Sequence, residues 1–270
     1  MSPMNNRLLV PRKVPGLLDL VPGAAAAYSL RSLSNSYAGP VVTVRRSSDD
    51  AEEDFTATAV ADGTLAGFCG AGDGFVKQWW DQSGNARHAV AAADTNEPKI
   101  VDSGVVVLKE GKPAIEFDGS DDYLSFSAIS LGTSHYISTV SYVEPGLTAS
   151  ILLGYTSPNN LNYDSGSGGR LYYNASNCVL GLNGAWPVSQ QVLVSVERSG
   201  TTLTARTNGA QSSGTLSCNN PLTLSQIGFR TDLGAYPYKW NGTVQEILLY
   251  NSVPSNIDLA EGNIAWSYSV

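Results

Sequence analysis

Phe75-Val76-Lys77-Gln78-Trp79-Trp80-Asp81-Gln82-Ser83-Gly84-Asn85-Ala86-Arg87-His88-Ala89-Val90 is the stretch on which the reading of the fold turns. An apolar run closes on two tryptophans, a polar turn follows with Gly84 and Asn85 at its apex, and the chain returns towards Ala89 and Val90. Tryptophan buries a large apolar area but needs a partner for its indole N–H. The adjacent polar turn supplies such partners. The stretch therefore reads as strand, ordered loop and strand. It suits either a sandwich corner or a platform on which a sugar ring stacks.

Working outward, short β-prone runs recur between Gly, Asn and Ser turns. Val41–Arg46, Pro98–Val101, Val105–Leu108 and Lys112–Phe117 read as strands, as does Tyr123–Phe126. Tyr136–Val143 alternates along its length, and Val192, Val194 and Val196 define an inner face. Asn208-Gly209 is the strongest hairpin signal, because both residues tolerate positive φ. Leu224–Phe229 and Thr243–Tyr250 add further strands. Residues 157–170, rich in Ser, Gly and Asn, read as a long loop. Gly23–Leu33 fits a helix or a strand, and Thr64–Phe68 fits a short helix. The convincing helix starts near Ser255, which can cap it with Asp258 at capping-box spacing. Ile257, Ala260, Ile264, Ala265 and Tyr268 form its apolar face. The expected class is all-β, a jelly-roll β-sandwich with one C-terminal helix. Residues 23–270 would form one domain.

Residues 1–22 read as an extended proline-rich arm, because Pro3, Pro11, Pro15 and Pro22 prevent regular structure. Its apolar side chains require a surface to lie on. Either the arm straps its own domain or it anchors the chain to another subunit through Arg7, Leu8, Leu9, Pro11 and Arg12.

Bulk properties narrow the function. Of 270 residues, 42% are hydrophobic and 15% charged, which fits a globular chain. The net charge of −8 repels phosphate backbones, so nucleic-acid binding is not expected. The opening residues lack the apolar core of a signal peptide, and no run of about 18 apolar residues could span a membrane. Cys69, Cys178 and Cys218 are too few and too widely spaced for a disulfide framework. One pair could bridge, but three thiols in a reducing cytoplasm is the expectation. The acidic loop 47–54 reads as a solvated turn, and no metal or other cofactor is expected.

Two motif sets resemble known families. Arg45-Arg46-Ser47-Ser48-Asp49-Asp50, followed by Trp79–His88, resembles paired motifs in the catalytic domain of α-L-arabinofuranosidase B. Trp80 stands where that family usually has Tyr, and Ala86 where it usually has a second Gly. Lys112-Pro113 with Phe117-Asp118-Gly119-Ser120-Asp121-Asp122-Tyr123-Leu124 is similar to a signature of concanavalin A-like, laminin-G-like sandwiches. Trp240–Tyr250 with the final helix resembles the closing elements of that superfamily. Together these cover most of residues 24–268. The opening Asn5-Asn6-Arg7-Leu8-Leu9-Val10-Pro11-Arg12 is similar to the start of bacteriophage virion proteins carrying lectin-like domains.

A glycosidase needs two carboxylates across a cleft, about 5–10 Å apart. Asp81, Glu116, Asp118, Asp121, Asp122 and Glu246 are all eligible, and no spacing selects a pair. No counterpart is found of the segments that carry the arabinofuranosidase nucleophile and acid, so no catalytic residue is assigned. Trp79, Trp80, Asp81, Gln82, Gly84, Asn85, Arg87, Asp118, Gly119 and Asp122 are read as a structural set, with the aspartates closing turns. His88 reads as a loop hydrogen-bonder. Candidate sugar contacts are Trp186, Tyr172, Tyr173, Tyr236, Tyr238, Trp240, Arg230 and Asp232, with Asn174, Asn177 and Asn241 as polar support. The same aromatics could instead fill the core.

The expectation drawn from these features is a non-enzymatic bacteriophage virion protein, made in the bacterial host cytoplasm. It would decorate a capsid or form part of a tail fibre. Its partners would be other virion proteins, a second copy of the chain and a host-surface glycan. The alternatives are a glycoside hydrolase of the arabinofuranosidase type and a free-standing carbohydrate-binding module.

Overall fold

The computed structural model describes residues 14–155, 158–165, 169–230 and 238–270. The all-β class holds. Among the described residues, backbone ladders link nineteen strands into one folded-over sheet, with a two-stranded ribbon beside it.

Asn241–Tyr250 organises the first layer. One flank pairs with Ser134–Val143, in register Tyr136↔Tyr250 to Val143↔Gly242. The other flank takes Ala26–Ser29 at one end and Ile115–Asp118 at the other. Beyond Ser134–Val143 come Gln191–Ser199, Thr202–Thr207 and Ala210–Thr215, each antiparallel to the last. Asn208 and Gly209, at φ 46° and 82°, make the tight turn that their sequence signals.

The second layer runs from Glu52–Phe55 through Val42–Arg46 to Gly74–Trp79. Ala89–Val90 links it to Leu124–Gly132, which pairs with Leu222–Ile227. Ala149–Gly154, Asn160–Asp164, Arg170–Ala175 and Cys178–Leu182 complete it. Lys99–Asp102 pairs with both Gly74–Trp79 and Ile115–Asp118, so the ladder passes from one layer into the other. That continuity is a departure from the expected jelly roll of two separate sheets.

Two apolar cores follow from this arrangement. The larger lies between the layers and holds Trp79, Trp186, Trp240 and Phe117. The smaller lies on the outer side of the first layer, beneath the helix Ile257–Tyr268. Ser134–Val143 is therefore buried on both faces, with Ile137 in one core and Tyr136 and Val140 in the other.

Several local expectations need correction. Residues 14–22 are not extended throughout, because Leu17–Leu20 makes one helical turn. Leu17 and Val21 pack into the smaller core, Leu18 N–H donates to Leu33 O, and Tyr250 OH donates to Val21 O. This part of the arm straps its own domain. Arg7, Leu8, Leu9, Pro11 and Arg12 lie outside the described residues. Within the expected loop 157–170, Asn160–Asp164 is a strand with Leu161 and Tyr163 turned into the core. The C-terminal helix is capped at Asn256 without a side-chain bond, so the Ser255 cap is not formed. Three free thiols are also not found. Cys178 and Cys218 form a disulfide and only Cys69 is free. The fold sets the Cα atoms of that pair 5.1 Å apart across 40 residues, a juxtaposition that sequence spacing does not reveal. Among the described residues no helix is long and apolar enough to cross a membrane.

Candidate functional site

The Trp-Trp-Asp-Gln corner is spent on architecture. Asp81 is buried, and its Oδ1 accepts from the N–H of Ala27 and Ser83, both at 2.9 Å. Its Oδ2 accepts from Ser83 Oγ at 2.8 Å and Arg87 N–H at 3.0 Å. Gln82 accepts from Leu33 N–H and donates to Ser29 O and Arg31 O. Asn85 donates to Ala24 O and Ala25 O, and Arg87 donates to Ala25 O. Trp79 is buried in the larger core, whereas Trp80 donates to Thr43 Oγ1 and packs on His88. His88 Nδ1 accepts from Asp81 N–H. These groups face the protein rather than a ligand.

Asp118, Asp121 and Asp122 hold carboxylate oxygens within 4.8 Å of one another, beside a hollow of about 350 Å³ that Glu116 and Glu97 also line. Their oxygens serve the turn. Asp118 Oδ1 accepts from Ser120 and Asp121 N–H, and Asp122 Oδ2 accepts from Asp118 N–H. Gly119, at φ +74°, sits where a Cβ would meet Asn241 at 2.7 Å. Burial pushes the Asp122 carboxyl up to about 7, and the neighbouring acidic groups Asp118, Asp121 and Glu116 add to the shift. The folded chain thus holds a proton that the unfolded chain releases near pH 4, so stability falls as pH rises from about 4 to 7. Asp122→Asn is expected to flatten that slope, read as unfolding temperature between pH 4 and 8. A slope equal to that of wild type would rule the assignment out.

Glu246, another eligible carboxylate, is also structural. It lies buried under the C-terminal helix and accepts from Arg31 Nε at 2.8 Å and Nη2 at 3.0 Å. It also accepts from Ser29 Oγ and Tyr268 OH. Arg31 reaches on to Asn263 Oδ1 in the helix.

Three expected sugar contacts are out of reach. Trp186 and Trp240 are fully buried, with ring centroids 5.7 Å apart in the larger core. Tyr173 is equally buried, and its hydroxyl accepts from Arg198 Nη1 at 3.0 Å and meets His135 Nε2 at 3.1 Å. Burial and the Arg198 charge hold the His135 imidazole down to about 4, so it is neutral. These rings close the space between the layers, which is why they cannot present a face to solvent. Asn174 accepts from Asn177 N–H and so closes a turn. Asp232 and Tyr236 lie outside the described residues.

Tyr172, Arg230 and Tyr238 remain partly exposed. Tyr172 and Arg230 belong to a polar face that no sequence motif indicated. Alternation in Asn160–Asp164 turns Asn160, Asn162 and Asp164 away from Leu161 and Tyr163. The partner strand sets Asn174 opposite Asn160, Tyr172 opposite Asn162 and Arg170 opposite Asp164. Arg170 Nη2 binds Asp164 Oδ2 at 2.8 Å, and its guanidinium lies 5.7 Å from the Tyr172 ring centre. Arg230 Nη1 donates to Asn160 Oδ1 at 2.6 Å, while Asn160 Nδ2 donates to Asn162 Oδ1. Asn160 and Asn162 are buried and brace the face, and the partly exposed guanidinium, tyrosine ring and carboxylate beside them suit hydroxyl-rich ligands. The visible signal was the period-two run Asn-Leu-Asn-Tyr-Asp, hidden because Asn disfavours strands.

The family model described as the catalytic domain of α-L-arabinofuranosidase B matches residues 19–144. Among solved structures, a GH54 α-L-arabinofuranosidase soaked with a cyclic sulfate inhibitor is similar at TM-score 0.69 and 19% identity. An arabinofuranosidase complexed with arabinofuranosyl-α-1,2-xylobiose is similar at TM-score 0.70 and 18% identity. Both likenesses cover 92% of this chain and 64% of the other, so this chain spans 64% of the length of those arabinofuranosidases. At these identities the likeness establishes the fold. No curated protein matches.

These findings overturn the expected non-enzymatic virion protein, with its capsid and tail-fibre roles, and favour the glycoside hydrolase alternative. The motifs at 45–50 and 79–88 fall within the matched segment. The sandwich signatures that led elsewhere describe strand ends and turns, which many functions share.

Proposed function

We propose that the chain is a glycoside hydrolase of the arabinofuranosidase type, removing arabinofuranosyl units from a polysaccharide. The observation that carries this is the likeness to arabinofuranosidases across 92% of the chain, reinforced by the family match at its N-terminal side. The polar face is where we place the substrate. The partly exposed Arg230 would bind ring hydroxyls, held in position by the buried Asn160 and Asn162, and Tyr172 would offer an apolar edge. Asp164, oriented by Arg170, would supply one of the two carboxylates that glycoside hydrolysis needs.

The test is release of 4-nitrophenol from 4-nitrophenyl α-L-arabinofuranoside. Wild-type protein should turn it over. Asp164→Asn should lower the rate at least about 100-fold, and Asp122→Asn, whose carboxylate is committed to the Asp118 backbone, should leave it unchanged. Absence of turnover by wild type on arabino-, xylo- and galactofuranosides would refute the reading. A rate unaffected by Asp164→Asn would remove the site from this face.

A further inference from the structure

A second surface has the character of a ligand site and shares no residue with the polar face. Trp266 is 80% exposed, the most exposed large hydrophobic residue among those described. Helix geometry puts it there. Ala260, Ile264 and Tyr268 face the sheet, and Trp266 falls on the opposite side. A helical side chain leans over the turn before it, and there the residue four back is Gly262. Nothing would lie within 4 Å of a Cβ at Gly262, so the indole does not rest on that turn and stands clear of the helix.

The indole separates two hollows. One, of about 560 Å³, extends towards Ala57–Ala61 and Asp62. The other, of about 330 Å³, extends towards Tyr37. Arg31, Ser32 and Ser267 line both, so the hollows form one trough with Trp266 as its saddle. A third hollow, of about 370 Å³, continues the trough past Ser34 and Tyr37.

The chemistry of the trough selects its occupant. The Arg31 charge is already bound to Glu246, and Lys112 and Asp62 bring opposite charges to the larger hollow, so the trough carries little net charge to attract an anion. The hydroxyls of Ser32 and Ser267 each donate to a backbone carbonyl and keep oxygen lone pairs with which to accept. An indole, a phenol and a row of hydroxyls with little net charge suit the C–H faces and O–H groups of an uncharged sugar chain.

We propose that this trough is an accessory site that holds a neutral polysaccharide, with Trp266 stacking on a sugar ring. It rests on the hydrolase reading only for the choice of probe. Affinity electrophoresis of the full chain through native gels containing soluble arabinoxylan, arabinan or β-glucan tests it. Wild type should be retarded by at least one of the three. Trp266→Ala should weaken that retention about fivefold or more, and Trp266→Tyr should keep most of it. Turnover of 4-nitrophenyl α-L-arabinofuranoside should not change in either variant. Asp164→Asn should still be retained, which separates this site from the polar face. Retention is read whether or not the chain hydrolyses anything, so the two readings can fail separately. Unretarded wild type in all three gels would overturn the proposal. So would Trp266→Ala retained like wild type, or sedimentation showing that Trp266 holds two copies together with retention unaltered.

Discussion

Asp81→Ala is expected to cost about 3–5 kcal/mol of stability and to lower the unfolding temperature by roughly 10 °C. The basis is the number of donors meeting one buried carboxylate. Three backbone N–H groups and one hydroxyl converge on its two oxygens. Hydrogen bonds to a charged acceptor are the strong class, and donors left unpaired in a buried corner carry a full desolvation cost. The loss spreads, because Ala27 lies in the strand that flanks Asn241–Tyr250. Asp81→Asn retains one acceptor oxygen and should fall about midway. Ser83→Ala removes a single hydroxyl and should cost about 1 kcal/mol. Thermal unfolding of the three variants checks the order. If Asp81→Ala melted with wild type, the corner would not be a structural staple.

The second large effect is expected at Glu246. Glu246→Ala leaves the Arg31 guanidinium partly buried without its counter-charge, and it also removes the acceptor shared by Ser29 and Tyr268. Breaking a buried pair from one side costs about 3–5 kcal/mol. Arg31 also ties the helix through Asn263, so the helix should loosen along with the pair. Replacing both partners with apolar residues of similar size, Arg31→Met with Glu246→Leu, should recover much of the loss, because no charge is then stranded. Urea denaturation of the single and double variants measures this. A double variant no better than Glu246→Ala would show that the hydrogen bonds to Ser29 and Tyr268, rather than the stranded charge, carry the cost.

The sequence was most legible where one physical rule acts alone. Alternation at Tyr136–Val143 and the Asn208-Gly209 turn gave strands and a hairpin close to those observed. The buried helix positions Ala260, Ile264 and Tyr268 also followed from spacing. Legibility failed where long-range packing decides. Trp186 and Trp240 carry the same chemistry in a core as on a surface, and only the closing of two layers over them makes the choice. Asn160–Asp164 was obscured because its composition signals a loop while its alternation signals a strand. Trp266 went unremarked beside the apolar positions of its own helix, since its exposure depends on which face meets the sheet. The Cys178–Cys218 bond joins segments whose meeting no local pattern encodes.

Asn241–Tyr250 has a consequence for how the chain can be divided. It lies outside the matched segment 19–144, yet three strands of that segment hydrogen-bond to it directly. A fragment ending at residue 144 would lack the rib that Ala26–Ser29, Ile115–Asp118 and Ser134–Val143 share, and would expose all three as raw edges. The span that the family model matches is therefore not a unit that could be excised and expected to fold. Any truncation for expression or grafting must carry the closing strand with it.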